Sequence, residues 1–189
     1  MVEAKLVSIT PNYMELLKLA CSKPYGNNVT NKGVEAIIKS GHLSILEHCY
    51  ASFEVTCSVR VLGQLTRHRH LSFTVKSARG SEFKRYCGID DVGAKVIEEY
   101  KKLISEDEYP YEDAAYLLPQ GVETTMIITG NFRAWFEYLP KRLCKRAMPE
   151  HRILAARILE ELQTAAPEIF ERRKFLNCDN CKERSCEFK

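Results

Sequence analysis

The sequence predicts an α+β fold in one domain, and three observations carry that prediction. Its 189 residues suit a single domain with a sizeable core. From Cys49 to Cys57 the chain alternates strictly, with Ala51, Phe53, Val55 and Cys57 on one side and Tyr50, Ser52, Glu54 and Thr56 on the other. That is the pattern of a half-buried strand. Two later stretches repeat with helical period instead: Val92, Val96, Ile97, Tyr100, Leu103 and Ile104, then Ile153, Leu154, Ile158 and Leu162.

The remaining elements follow in order. Residues 3–9 predict a short strand, and Tyr13 to Cys21 a helix with Leu16, Leu17 and Ala20 on one face. Pro24, Gly26 and two asparagines then break regular structure. Thr30 is the expected N-cap of a helix through Ile37 and Ile38 that Gly41 closes. A short helix is expected before Pro119, a strand rich in β-branched residues over 122–129, and helices near 131–139 and 150–164. No internal repeat or linker divides the chain, which ends in a Cys-rich tail.

A formal net charge of +3 does not by itself announce a nucleic-acid binder. No run approaches the roughly 20 apolar residues of a membrane span, and the first ten residues lack the apolar stretch of a signal peptide. The expected location is the cytoplasm. Five of the eight cysteines (Cys21, Cys49, Cys57, Cys87 and Cys144) are scattered singly and read as reduced core thiols. Only Cys178, Cys181 and Cys186 cluster. Three soft ligands with no nearby histidine fall short of the four a closed zinc site needs, so no metal is expected.

Charge is concentrated where it matters. Between Val55 and Ser81 there is no acidic residue, yet Arg60, Arg67, Arg69, Lys76 and Arg79 all lie there. Guanidinium forks and the hydroxyls of Ser72, Thr74 and Ser77 suit a phosphate. The alternative is a solvated basic loop, but Leu71, Phe73 and Val75 interleave with the polar groups and argue for a segment packed into the body. If the chain is extended at RHRH, Arg67 and Arg69 point one way, His68 and His70 the other. A second basic cluster holds Lys141, Arg142, Lys145, Arg146 and Arg152, and Asn131 and Arg133 sit near a helix start, where backbone N–H groups favour anions. The alternative there is a solvated helix end. The expectation is an enzyme that handles phosphorylated nucleotides.

The run RHRHLSFTVKSAR, Arg67 to Arg79, resembles the RHRxxSxNxxSxR pattern of the flavin-dependent thymidylate synthases. It departs at one fixed position, where Thr74 stands for Asn. GHLSILEH, Gly41 to His48, is similar to the family's GHxSxxEH segment, and Gln64 matches a family glutamine. Leu118–Pro119, the segment Thr129 to Arg142, and Ala166 to Phe170 resemble its later motifs, so the likeness covers most of residues 10–170.

The resemblance implies a central mixed or antiparallel sheet flanked by helices, a catalytic domain over residues 1–172 and a tail over 173–189. It implies a homotetramer with shared active sites that converts dUMP to dTMP. The carbon would come from methylenetetrahydrofolate and the reducing equivalents from NADPH through FAD. By position, Ser44, Glu47, Arg67, His68, Arg69, His70, Asn131, Arg133, Glu137 and Arg146 would bind FAD, with His42 near the flavin. Gln64, Ser77, Ala78, Arg79 and Arg142 would bind dUMP, the phosphate at Ser77 and Arg79, the uracil at Arg142. Arg142 would also be the catalytic group, and no cysteine nucleophile is implied.

The chain departs from the family at Thr74, at Val75 and Lys76 (often acidic then apolar), at Gly80 (usually Tyr), at Ala115 (often a phosphate-binding Arg) and at Glu137 (commonly His or Asn). Lys76 or another cation is a candidate to replace the missing Arg. These departures motivate one rival, a flavoprotein of the same fold that methylates or hydroxymethylates another pyrimidine nucleotide. A rival from another class is a nucleic-acid-binding module using the basic segment. Trp135 and Phe136 read as core, and His151, beside Glu150 on a helix, as a surface residue.

Overall fold

The alternation around Cys49–Cys57 becomes β2, Tyr50–Ser58, an inner strand of a four-stranded antiparallel sheet. The computed structural model describes residues 2–88, 91–171, 175–176, 178–179 and 181–187. Strand order is β1 (Glu3–Ile9), β2, β4 (Glu123–Asn131), β3 (Leu71–Val75). Phe53 and Val55 oppose Ile128 and Met126 in register, and all four are buried on one face. The other face carries Ser52, hydrogen-bonded to Thr129 at 2.8 Å, with Glu54, Thr125 and Ile127 exposed beside them. An antiparallel sheet tolerates this asymmetry, with one face packed and one open.

Eight α-helices occur among the described residues. They are α1 (Tyr13–Tyr25), α2 (Asn31–Lys39), α3 (Val59–Leu65), α4 (Asp91–Ser105), α5 (Tyr111–Ala114), α6 (Phe132–Leu143), α7 (Pro149–Ala165) and α8 (Pro167–Phe170). The main core lies between the sheet and α1, α2, α6 and α7, centred on Trp135, Phe53, Phe132, Tyr138 and Phe170. Trp135 and Phe136 are buried as expected. A smaller cluster under α4 holds Phe83, Ile97, Tyr100 and Val122.

Among the elements that the sequence does not predict, α3 and β3 bear on the site. Ser58 ends β2 and caps α3, its Oγ accepting from Val61 N at 3.2 Å. α3 then buries Val61 and Leu65. Because this helix runs toward β3, which must pair antiparallel with β4, the chain has to turn at RHRH. The segment is therefore a turn and not extended: His68 N donates to Leu65 O at 2.9 Å, and Leu71 N to His68 O at 3.0 Å. Smaller corrections follow from where packing partners stand. Val92 and Ile153 are exposed, and α1 buries Met14, Leu17 and Cys21 where Leu16 and Ala20 were also expected. α6 continues to Leu143, past Pro140. Cys21, Cys49 and Cys57 are core thiols, but Cys87 and Cys144 are half-buried.

The junction of β4 with α6 depends on Gly130. A Cβ there would meet Leu71 and the Trp135 ring. Without one, Trp135 Nε1 comes close enough to donate to Gly130 O at 3.1 Å and Ala51 O at 3.2 Å. That bond fixes the start of α6. The domain boundary expected at 172/173 lies outside the described residues.

Candidate active site

The first group of site residues assembles where β4 runs into α6. Asn131 caps the helix, its Oδ1 accepting from Ala134 N at 2.8 Å. Arg133 follows in the first turn. Its Nε donates to Glu137 Oε1, one turn on, at 3.2 Å, and its Nη1 makes a close ion pair with Glu47. Glu47 comes from the 3-10 turn Ser44–His48, which precedes β2. Together with His70 and Ala134 these side chains line a pocket of about 260 Å³. Five of the expected flavin residues thus share one wall: Glu47, His70, Asn131, Arg133 and Glu137. Its two carboxylates suit hydroxyl or N–H donors, while Arg67 and Arg69, exposed on the turn nearby in sequence, suit phosphates.

A second group forms at the other end of α6. Arg142 Nε donates to His68 Nε2 at 2.8 Å, while its Nη1 and Nη2 reach Gln64 Oε1 and Gln64 O, each at 3.4 Å. Gln64 Nε2 donates to Met148 Sδ at 3.2 Å, and His151 Nδ1 stands 3.2 Å from Gln64 Oε1. Tyr138 packs edge-on to His68, ring centroids 4.9 Å apart. Burial, followed by the Arg142 charge, holds His68 down at about 4 and His151 at about 3. Both imidazoles are neutral at pH 7. The partners of Arg142 are therefore uncharged, and among the described residues no carboxylate pairs with it.

The family model for the thymidylate synthase complementing protein matches residues 5–168. The chain belongs to the flavin-dependent thymidylate synthase family. The flavin-dependent thymidylate synthase of Saccharolobus solfataricus is 31% identical over 198 aligned residues, covering 90% of this chain and 76% of that protein. Among solved structures, thymidylate synthase X from Helicobacter pylori, determined with FAD and dUMP, superposes with a TM-score of 0.78. It is 23% identical, covering 90% of this chain and 98% of that one. A UMP/dUMP methylase, PolB from Streptomyces cacaoi, bound with 5-Br dUMP, also gives 0.78 at 18% identity, covering 90% and 94%. At those identities the two structures establish the shared fold.

The other positions singled out by the thymidylate synthase resemblance have different partners. Ser77, Ala78 and Arg79 form the loop after β3. Ser77 Oγ accepts from Arg79 N at 3.2 Å, and the exposed Arg79 pairs with Glu112 at 3.1 Å. No hydrogen bond or ion pair among the described residues joins Ser77 or Arg79 to Gln64 or Arg142. Glu112 lies on α5, and Ala115 begins the 3-10 turn that follows it. Lys76 folds back onto its own loop, donating to Glu82 O at 2.7 Å with its amine over the Phe83 ring. Arg146 pairs with Glu183 of the tail at 3.1 Å. Ser44 lines a different groove, between α1 and the 3-10 turn, and His42 is exposed.

The sequence reading overlooked His151, which was expected at the surface and is fully buried. The signal was present. His151 precedes Leu154, Ala155, Ile158 and Leu162 by three, four, seven and eleven residues, so it falls on the apolar stripe of α7. Tyr138 was overlooked for the same reason, as one more aromatic on a buried helix face. The cysteines stand apart from this chemistry. Burial pushes the Cys57 thiol up to about 12 and Cys49 to about 11. Among the described residues no group of three or more His, Cys, Asp or Glu is placed to hold a metal ion.

Proposed function

We propose that the chain converts dUMP to dTMP, with the carbon from methylenetetrahydrofolate and the reducing equivalents from NADPH through FAD. The observation that carries this reading is Arg142, a cation held on two sides by neutral groups only. Making C5 of uracil nucleophilic puts negative charge on a pyrimidine carbonyl. A guanidinium fixed in advance, with no carboxylate to quench it, stabilises that charge as it develops. Gln64 and Arg142 would hold the uracil, and Ser77, Ala78 and Arg79 the phosphate.

Bound FAD would supply the hydride, leaving the protein to bind and orient. Glu47, His70, Asn131, Arg133 and Glu137 would line its place, with Ser44, Arg67, His68, Arg69 and Arg146 around them and His42 near the flavin. A pocket of about 260 Å³ falls below the ~300–1,000 Å³ of sites that enclose drug-sized ligands, and FAD is larger than those. This supports a homotetramer whose chains complete one another's sites. The catalytic unit would be residues 1–172, with 173–189 a tail, working in the cytoplasm where NADPH and nucleotides are available.

The test is release of tritium from C5-labelled dUMP in the presence of FAD, NADPH and methylenetetrahydrofolate. Release with formation of dTMP is the expected result, and no release sinks the reading. A second reading, another pyrimidine nucleotide as substrate, is favoured by Val75. This apolar, half-buried side chain ends β3 two residues before Ser77. Release from labelled UMP or dCMP, and not from dUMP, would establish it.

A further inference from the structure

We infer that His151 is a positioning residue for the chemistry at Arg142, holding Gln64 in the one amide orientation that offers the guanidinium an acceptor. The inference rests on the reading of Arg142 given above, but the contact it invokes is geometric. A glutamine carboxamide has two nearly isosteric ends, and only one of them accepts. As placed, Gln64 Oε1 faces both Arg142 Nη1 and His151 Nδ1, while Nε2 faces Met148 Sδ. Turned over, the amide would set an N–H donor against a guanidinium N–H donor. A thioether is a weak acceptor and cannot decide the orientation alone. Arg142 Nη1, which can only donate, calls for the Oε1 end, and with Oε1 there the contact requires the proton on His151 Nδ1, so a second donor holds the same orientation.

The surroundings leave His151 little freedom to do otherwise. It is fully buried on the inner face of α7, with Tyr138 5.7 Å and His68 6.4 Å from it, centroid to centroid. Its Nε2 has no hydrogen-bond partner among the described residues, so the Gln64 contact is its one polar anchor. Being neutral, it adds a donor without adding a second cation beside Arg142. His68 does the complementary work on the guanidinium's other side by accepting from Nε. Arg142 is thus set from two directions, by a histidine that accepts and, through Gln64, by a histidine that donates.

The test is a cycle of variants read by kcat, KM for dUMP and FAD binding. His151→Leu keeps an apolar filling but removes the donor. A guanidinium displaced by a fraction of an ångström should cost about 10- to 100-fold in kcat, with FAD binding unchanged. His151→Asn, which can place an N–H where Nδ1 stood, should recover most of that loss. In a Gln64→Ala background, His151→Leu should cost nothing further. An equal loss in both backgrounds, or an Asn variant no better than Leu, would overturn the inference in favour of a packing role. Imidazole nitrogen shifts of His151 in the unmodified protein test it without turnover: a neutral Nδ1–H ring is expected, and an Nε2–H or charged ring refutes it. Should dUMP prove not to be a substrate, the reading of Arg142 fails on the tritium assay, while the tautomer still decides whether His151 orients Gln64.

Discussion

Arg133 and Arg142 lie on the same helix, nine residues or about 14 Å apart along its axis, and are held in opposite ways. Arg133 stands in the first turn of α6, half-exposed, between the carboxylates of Glu47 and Glu137. Arg142 stands in the last turn, against Gln64 and a neutral His68, with no carboxylate partner among the described residues. The helix itself accounts for much of the contrast. Its N-terminus carries partial positive charge, so a guanidinium there gains from nearby carboxylates. Its C-terminus carries partial negative charge and favours a cation without one. One element therefore supports a neutralised arginine at an open pocket and an unquenched arginine in a more enclosed cluster. On the function proposed above, the second is the one that meets charge appearing during the reaction.

Removing the unquenched cation should have the largest effect. Arg142→Ala is expected to lower tritium release from dUMP by about 10²- to 10³-fold, with FAD binding largely retained. Equal loss of FAD binding, read by flavin absorbance, would break the distinction between the two ends of α6. Arg142→Lys should recover little, since a point charge cannot bond His68 and Gln64 at once.

Acid should expose the same contrast in stability. His68 and His151 titrate at about 4 and about 3 in the folded protein, below the roughly 6.5 of an unfolded histidine. As pH falls through 6.5 the unfolded chain takes up protons that the folded one refuses, so stability present above that pH is lost on the way down to 4. Between pH 6.5 and 4.5 this should weaken the folding equilibrium by at least about tenfold. Denaturant titrations across the window check it. A His68→Asn, His151→Asn double variant should show a flatter dependence, and an unchanged slope would mean that these rings are not held neutral.

The open pocket should respond more mildly. Arg133→Ala is expected to weaken FAD binding by about tenfold, the scale of one lost charge-assisted contact. Its melting temperature should stay within a few degrees, because exposed ion pairs contribute little to stability. Salt should act least of all. Raising it from low to near-molar concentration shortens the screening length to about 3 Å. FAD affinity should then fall a few-fold while kcat at saturating ligand holds steady. A kcat that fell with salt would place Arg142 in water like Arg133.

How much of this was legible depended on how local the signal was. Alternation in Cys49–Cys57 and helical spacing after Pro149 report a buried face within a few residues, and β2 and α7 follow. The basic run was legible as a segment packed into the body but not as a turn. Ser58 followed by Val61 and Leu65 is a short helix signal that the surrounding strand pattern obscured. Once α3 forms, RHRH has to reverse the chain so that β3 can pair with β4. His151 shows the same limit from the other side. Its place on the apolar stripe of α7 was readable, but its partner Gln64 lies 87 residues earlier.

The sequence by itself determined the α+β class, most of the helices and strands, the family, and where the positive charge is concentrated along the chain. Those properties rest on short-range periodicity and on spaced motifs, which the chain carries whether folded or not. Tertiary structure decided how the charges are used. It tied Arg133 to two carboxylates, gave Arg142 neutral partners, folded Lys76 onto its own loop and buried His151. A side chain's protonation and freedom depend on which groups close in around it, and those groups arrive from distant parts of the chain.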